Sequence, residues 1–207
     1  MNTKKIKRLR ENSKIEFIEK KSVFIAFSTN VKSEEEALSI IKQHKKMYAD
    51  ATHNVYAYVI GDDIARYSDD KEPQGTAGMP VLNSIRMSGI QDVLVIVTRY
   101  FGGILLGAGG LVRAYSTAAS MALEAGGIRE YEEYDAYSIS CSYSDYGKAS
   151  IILNDFNVIL ERTDFSADVT LEFAVTKETA ESLIVKITNE FSGRIVPLFR
   201  ERRIDSK

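Results

Sequence analysis

Three stretches of this chain hold residue types that could do chemistry at workable spacing. The first is Asp50-Ala51-Thr52-His53-Asn54, where one of two histidines stands beside a carboxylate just ahead of a strand. An imidazole there can be a general base or a metal ligand, or it can cap the strand by bonding nearby backbone. The second covers residues 67–80 and places Asp69, Asp70 and Glu72 within four positions, followed by Pro73, Gly75, Gly78 and Pro80. Close carboxylates suit a hard cation such as Mg²⁺, and their repulsion raises the pKa of one of them for acid–base work. The same residues also make a rigid recognition loop or a plain connection. The third covers residues 98–116. Gly102, Gly103, Gly107, Gly109 and Gly110 lie between an apolar strand and a helix that carries Arg113, Tyr115 and Ser116. Unblocked amides at a helix start favour an anion. Arg99 and Arg113 flank the glycines and could fork onto phosphate, and Tyr100, Phe101 and Tyr115 could stack on bases. A tight packing turn between strand and helix is the alternative.

Several chemistries find no support. No Lys-Ser or Lys-Thr follows the last glycine, and the spacing is not G-x-G-x-x-G, so neither nucleotide fingerprint is present. The single cysteine, Cys141, excludes an internal disulfide and a cysteine-based zinc site, and it reads as a small buried hydrophobe. No G-x-S-x-G elbow exists. Neither a metal nor a cofactor is expected.

The elements that must position these residues follow from patterning. Residues 15–29 alternate around Phe17, Val23, Ile25 and Phe27 and predict a strand or hairpin. Ser33 followed by Glu36 is a capping box that opens a helix to about Tyr48, with His44 on its solvated flank. A strand is expected over 54–60, a loop over 67–80 and a short helix over 81–88. A doubly buried strand follows over 92–98 and a helix over 111–124. Beyond a junction near 130–135 the pattern becomes β-α-β-β-α-β, which is ferredoxin-like.

Two hundred and seven residues suit two small domains, and 44% apolar with 27% charged residues is globular composition. A net charge of −2 does not advertise nucleic-acid binding, so any such contact must come from a local patch. Lys4, Lys5, Lys7, Arg8, Arg10 and Lys14 crowd the start without an apolar run behind them. That is not a signal peptide; it reads as a nucleic-acid arm, a solvated leader or the start of a strand. A cytoplasmic protein with no membrane span is expected.

Taken in order, the motifs resemble those of the IMPACT family, in particular its two-domain bacterial members of the YigZ type. The resemblance rests on Lys20-Lys21-Ser22, on residues 50–54 running into Tyr56-Ala57-Tyr58, and on Ser68-Asp69-Asp70 with Glu72-Pro73 and Gly75-Thr76-Ala77-Gly78. It rests above all on the long segment from Thr98 to Ser116. Lys71, Gln74, Met79 and Val55 depart from the family pattern. The resemblance implies an α+β protein with two domains. Residues 1–132 would form a ribosomal-protein-type split β-α-β domain with a left-handed crossover, as in domain IV of elongation factor G. Residues 133–207 would form a ferredoxin-like domain, as in that factor's domain V. Eukaryotic members act as translation regulators that compete for the co-activator of a stress kinase. The expectation is therefore a non-catalytic regulator whose partner is RNA, the ribosome or a ribosome-associated protein. Its binding residues would be Arg99, Tyr100, Phe101, Gly102, Gly103, Gly107, Gly109, Gly110, Arg113, Ser116, His53, Asp69, Asp70 and Glu72. The alternative is an enzyme that binds nucleotide phosphate and Mg²⁺ with the Gly-rich and acidic loops.

Overall fold

The computed structural model describes residues 5–206, so Lys4 of the basic leader lies outside the described residues. The chain divides into two compact units, one of Ile6–Glu130 and one beginning at Tyr131. The first unit opens with β1 (Ile6–Leu9), β2 (Ser13–Glu19), β3 (Ser22–Asn30), α1 (Glu34–Met47), β4 (His53–Ile60) and β5 (Ile64–Ser68). It continues with α2 (Gly78–Ser88), β6 (Val93–Tyr100) and α3 (Gly107–Gly126). β7 (Ile128–Cys141) leads into the second unit, which adds α4 (Tyr143–Asp155), β8 (Ile159–Phe165), β9 (Val169–Thr176), α5 (Lys177–Glu190) and β10 (Leu198–Ser206).

The first sheet runs β2-β3-β6-β4-β5, with antiparallel neighbours throughout. β6 is apolar along most of its length because helices cover both of its faces. Its alternate residues Val93, Val95 and Val97 join one core with Phe24, Val55, Ala57 and the apolar sides of α2 and α3. Leu94 and Ile96 join the other core with Ala37, Ile41 and Tyr58 under α1. Period-two alternation then fixes the last residues of the strand. Thr98 turns towards α1, and Arg99 turns towards α3.

The second unit's strands run β10-β7-β9-β8, all antiparallel, with Leu153 of α4 and Leu183 and Ile187 of α5 packed on Ile139, Leu171 and Phe173. Numbered within the unit this order is 4-1-3-2, the ferredoxin-like arrangement. Cys141 is buried there, and burial pushes its thiol pKa up, helped by Asp145 and Asp168.

The structure corrects several local readings. Residues 64–68 form β5, an edge strand inside what patterning treats as the approach to a loop. α2 begins at Gly78, three residues earlier than expected. α3 begins at Gly107, so three glycines lie in its first turn, where helix propensity argues against a start. The capping box at α1 holds: Ser33 Oγ accepts from the Glu36 N–H, while the Glu36 carboxylate accepts from the Lys32 N–H. His44 is not solvated. It is buried, stacked on Tyr48, with Nε2 2.8 Å from Thr98 Oγ1. Thr98 Oγ1 donates onward to Asn54 Oδ1, so His44 Nε2–H must be the donor to Thr98.

Burial, with the nearby charge of Lys14, pushes the His44 pKa down from 6.5 to about 4. The unfolded chain therefore binds a proton near pH 6.5 that the fold resists. Stability from this site is complete above about pH 6.5 and is lost as the pH falls towards 4, by on the order of 2–3 kcal/mol. Urea midpoints measured between pH 7 and pH 4.5 should show this loss in the wild type, and a smaller one in His44→Gln. Identical pH profiles for the two would refute it.

Candidate functional site

The site sits at one end of the first sheet, on the face that carries α3. Cross-strand register sets Phe24 and His53 on either side of Arg99. The alternation that sends Val97 into the α2/α3 core sends Arg99 the same way, along with His53 and Ser22. Arg99 is only 5% exposed. Its Nη1 donates to Glu72 Oε1 at 2.6 Å and its Nη2 to Ser22 Oγ at 3.3 Å, and its guanidinium lies over the rings of Phe24 and Phe101. Its Nε is buried with no hydrogen-bond acceptor among the described residues. Tyr115, fully buried on α3, donates its hydroxyl to the same Glu72 oxygen at 2.8 Å. Burial, with the Glu72 charge, drives that phenol far above its ordinary range. His53 completes the group. Its Nδ1 lies 2.8 Å from the Asp70 carbonyl, and its Nε2 lies 3.7 Å from Glu72 Oε1.

The acidic loop has a structural explanation for two of its three carboxylates. Asp69 caps α2 from a distance: it accepts from the N–H groups of Gly75, Ala77 and Gly78 at 2.9, 3.1 and 2.7 Å. The helix needs this, because its own N-cap, Ala77, has no side chain to offer. Asp70 accepts from Lys45 Nζ and from the Asn54 N–H, both at 2.6 Å. Burial works to raise its pKa, but those hydrogen bonds and the Lys45 charge prevail and hold it below its usual value. Among the described residues no group of three or more His, Cys, Asp or Glu side chains is placed to hold a metal ion.

Between the acidic loop and the start of α3 lies a cleft of about 430 Å³. His53, Glu72 and Arg99 lie on its floor. Phe101, Leu105, Lys71 and Pro73 form its lips, and Gly107 and Ala108 of α3 form its far wall. The N-cap of α3, Leu106, supplies no side-chain acceptor, and among the described residues no side chain accepts from the first amides of this 20-residue helix. Gly102 and Gly103 precede the wall. Gly102 is pressed against the β2–β3 turn and donates its N–H to Ser22 Oγ. That turn is Lys20-Lys21, both with positive φ (45° and 68°) and both exposed. Non-glycine residues in this region cost roughly 1 kcal/mol or more each, so the fold holds two lysines beside the site at a measurable cost.

Of the residues expected at the site, the structure brings His53, Glu72, Arg99, Phe101 and Gly107 together in the cleft. It places the others elsewhere. Tyr100 donates its hydroxyl to Asp50 at the rim of the sheet. Gly103 and Gly109 are exposed with open space around them, and Gly110 packs on Leu106. Arg113 is exposed on α3 without an ion pair among the described residues. Ser116 faces α2, where its carbonyl accepts from Ser84. Arg99 does not present a fork to solvent, because strand alternation buries it against Glu72. Tyr115 is not a stacking surface, because it lies wholly in the core. Sequence reasoning gave no role to Lys71, Pro73 or Leu105, which are loop residues without periodicity, nor to the Lys20-Lys21 turn beyond its place in a motif.

Comparisons with known proteins bear on both units. Residues 20–123 match the family model described as the Impact N-terminal domain, and residues 139–194 match a domain of unknown function, DUF1949. An IMPACT family member from Bacillus subtilis, YvyE, is 36% identical over 188 residues, covering 90% of this chain and 87% of that one. An IMPACT family member from Haemophilus influenzae is 32% identical over 181 residues, covering 86% and 88%. A solved structure described as the crystal structure of a hypothetical protein superposes with a TM-score of 0.62 at 27% identity, covering 97% of this chain and 99% of the other.

Proposed function

The chain belongs to the IMPACT family, and from that premise we propose that it is a non-catalytic, translation-linked protein whose N-terminal cleft binds RNA on the ribosome. The observation that carries this reading is the charge around the cleft. Lys20 and Lys21 are held on a strained turn against Gly102, Lys71 stands on the opposite lip, and Arg113 is exposed on α3. The uncapped start of α3 adds the positive end of a helix dipole. Two acids of the loop are paired internally, Glu72 with Arg99 and Asp70 with Lys45, and Asp69 is engaged by backbone N–H groups. In a chain with a net charge of −2, cations without an ion pair among the described residues thus stand on segments that adjoin the cleft, which supports the local patch that polyanion binding needs. The half-exposed ring of Phe101 offers a base a stacking surface. No helix among the described residues is long and apolar enough to cross a membrane. A cytoplasmic location belongs to the same proposal.

The test is co-sedimentation of the whole protein with salt-washed ribosomes over a salt series. Binding is expected at low salt, falling steeply as salt rises. Replacing Lys20, Lys21, Lys71 and Arg113 by alanine should weaken it and flatten the slope by about 0.7–0.9 for each phosphate no longer neutralised. Binding that ignores salt, or no binding at low salt, would overturn the reading. Binding to unwashed ribosomes alone would point instead to a ribosome-associated protein.

A further inference from the structure

We propose that the floor of the cleft reads ribose: Glu72 Oε2 and His53 Nε2 accept hydrogen bonds from the hydroxyls of a ribonucleotide whose phosphate lies at the start of α3. The proposal rests on the RNA reading above and names what that site distinguishes.

Two unfilled acceptors carry it. Arg99, Tyr115 and His53 all approach one oxygen of Glu72, Oε1. Oε2 takes no hydrogen bond among the described residues, although Glu72 is only 7% exposed and lines the cleft. That oxygen is not sealed off from the cleft, and an acceptor left open there is a place where a ligand or water supplies the donor. His53 gives the second. The Asp70 carbonyl can only accept, so His53 Nδ1 carries the hydrogen in their 2.8 Å contact. In the neutral ring Nε2 is then a bare lone pair, and it lies within 3.7 Å of the Glu72 carboxylate. Oε1 is already filled by Arg99 and Tyr115, so the Nε2 lone pair and the open Oε2 are the two acceptors on this floor left for a ligand. The neighbouring hydroxyls of one sugar can supply a donor to each, and a carboxylate that accepts from the ribose 2′-hydroxyl is a recurrent arrangement.

The far wall supplies the complementary half. Gly107 and Ala108 at the start of α3 border the same cleft, and no side chain caps them. A phosphate there would meet free amides and the helix dipole. Phe101 stands on the lip beside Arg99, where a base can stack. About 430 Å³ lies within the range of small-molecule sites and is ample for one nucleotide. A deoxyribose leaves both acceptors unfilled, and a site built to bond a hydroxyl strongly rejects the analogue that lacks it.

The test measures fluorescence anisotropy of the full chain with labelled oligonucleotides of about ten residues, at one fixed salt concentration. Oligouridylate is compared with oligodeoxyuridylate and with 2′-O-methyl oligouridylate. The ribose form should bind roughly tenfold more tightly than either, the effect of one hydrogen bond to a charged group. Glu72→Gln turns Oε2 into a donor and should erase the preference; circular dichroism reports whether it folds. The comparison of ligands on the wild type stands even if it does not. Equal affinity for all three probes would overturn ribose reading and leave polyanion binding intact. Ribosome pelleting without binding of any probe would also overturn it. Absence of both would overturn the two proposals together.

Discussion

Replacing Glu72 by alanine is expected to cost the N-terminal unit about 3–5 kcal/mol, the penalty for stranding a buried charge. Arg99 is 5% exposed and its main partner is the Glu72 carboxylate at 2.6 Å. Without that carboxylate the guanidinium keeps only a 3.3 Å bond to Ser22, and its Nε already has no acceptor. The Tyr115 hydroxyl, fully buried, loses its acceptor in the same step. Each kilocalorie moves the melting point of a unit this size by roughly 3–5 °C, so a fall of about 10–20 °C should appear in thermal denaturation. Removing both charges should cost far less than removing one, because a paired charge stabilises mainly by answering its partner's desolvation. Arg99→Met in the Glu72→Ala background is therefore expected to recover much of the loss, and the double-mutant cycle should return a coupling above about 1 kcal/mol. A Glu72→Ala loss below about 1 kcal/mol, or strict additivity in the cycle, would show that the pair is not the centre of the cleft.

That pair also shows what sequence patterning reveals here and what it hides. Val93–Tyr100 is visibly a buried strand, but a run apolar on both faces hides its own phase. Nothing in it says that Thr98 meets His44 while Arg99 meets Glu72, 27 positions away. His44 reads as solvated because its side chain is polar, yet it continues the buried stripe of Ala37 and Ile41, where Tyr48 stacks on it and the Thr98–Asn54 pair satisfies it. The start of α3 is misplaced because glycine is a poor helix former. Gly107, Gly109 and Gly110 nonetheless occupy its first turn, where intrahelical bonds are not yet required of the N–H groups. β5 escapes notice because five residues at a sheet edge, half-buried, carry too little alternation. The capping box at Ser33 and the ferredoxin-like order beyond Tyr131 were legible, because each is written in contiguous residues or in a long period. The three motifs did converge on one end of one sheet. Which of their members face a ligand depended on strand phase and on contacts distant in sequence.

The turn that carries Lys20 and Lys21 depends on one glycine, and Gly102→Ala should disrupt it without removing any charge. A Cβ at position 102 would stand 2.0 Å from the carbonyl carbon and oxygen of Lys21 and 2.4 Å from the Ser22 nitrogen. All three are main-chain atoms, so no change of rotamer relieves the clash. The hairpin turn must lift, or the segment after β6 must move. Either motion breaks the bond from the Gly102 N–H to Ser22 Oγ and disturbs the Ser22 hydroxyl that steadies Arg99. Overpacking against side chains costs about 1–3 kcal/mol, and against fixed backbone the cost should be about 3 kcal/mol or more. The variant that isolates this effect is Gly109→Ala. It lies in the first turns of α3 with nothing within 4 Å of an added Cβ, and its φ is not positive. Alanine there should raise stability by about 0.5–1 kcal/mol through helix propensity, and it keeps the N–H that an anion would use. Denaturant titration should therefore move the two variants in opposite directions. Ribosome pelleting should weaken for Gly102→Ala, with a flatter salt slope although every lysine remains, and should persist for Gly109→Ala. A Gly102→Ala protein as stable as wild type would show that the turn does not rest on the glycine. One that is destabilised yet binds with an unchanged salt slope would show that Lys20 and Lys21 are not part of the binding surface.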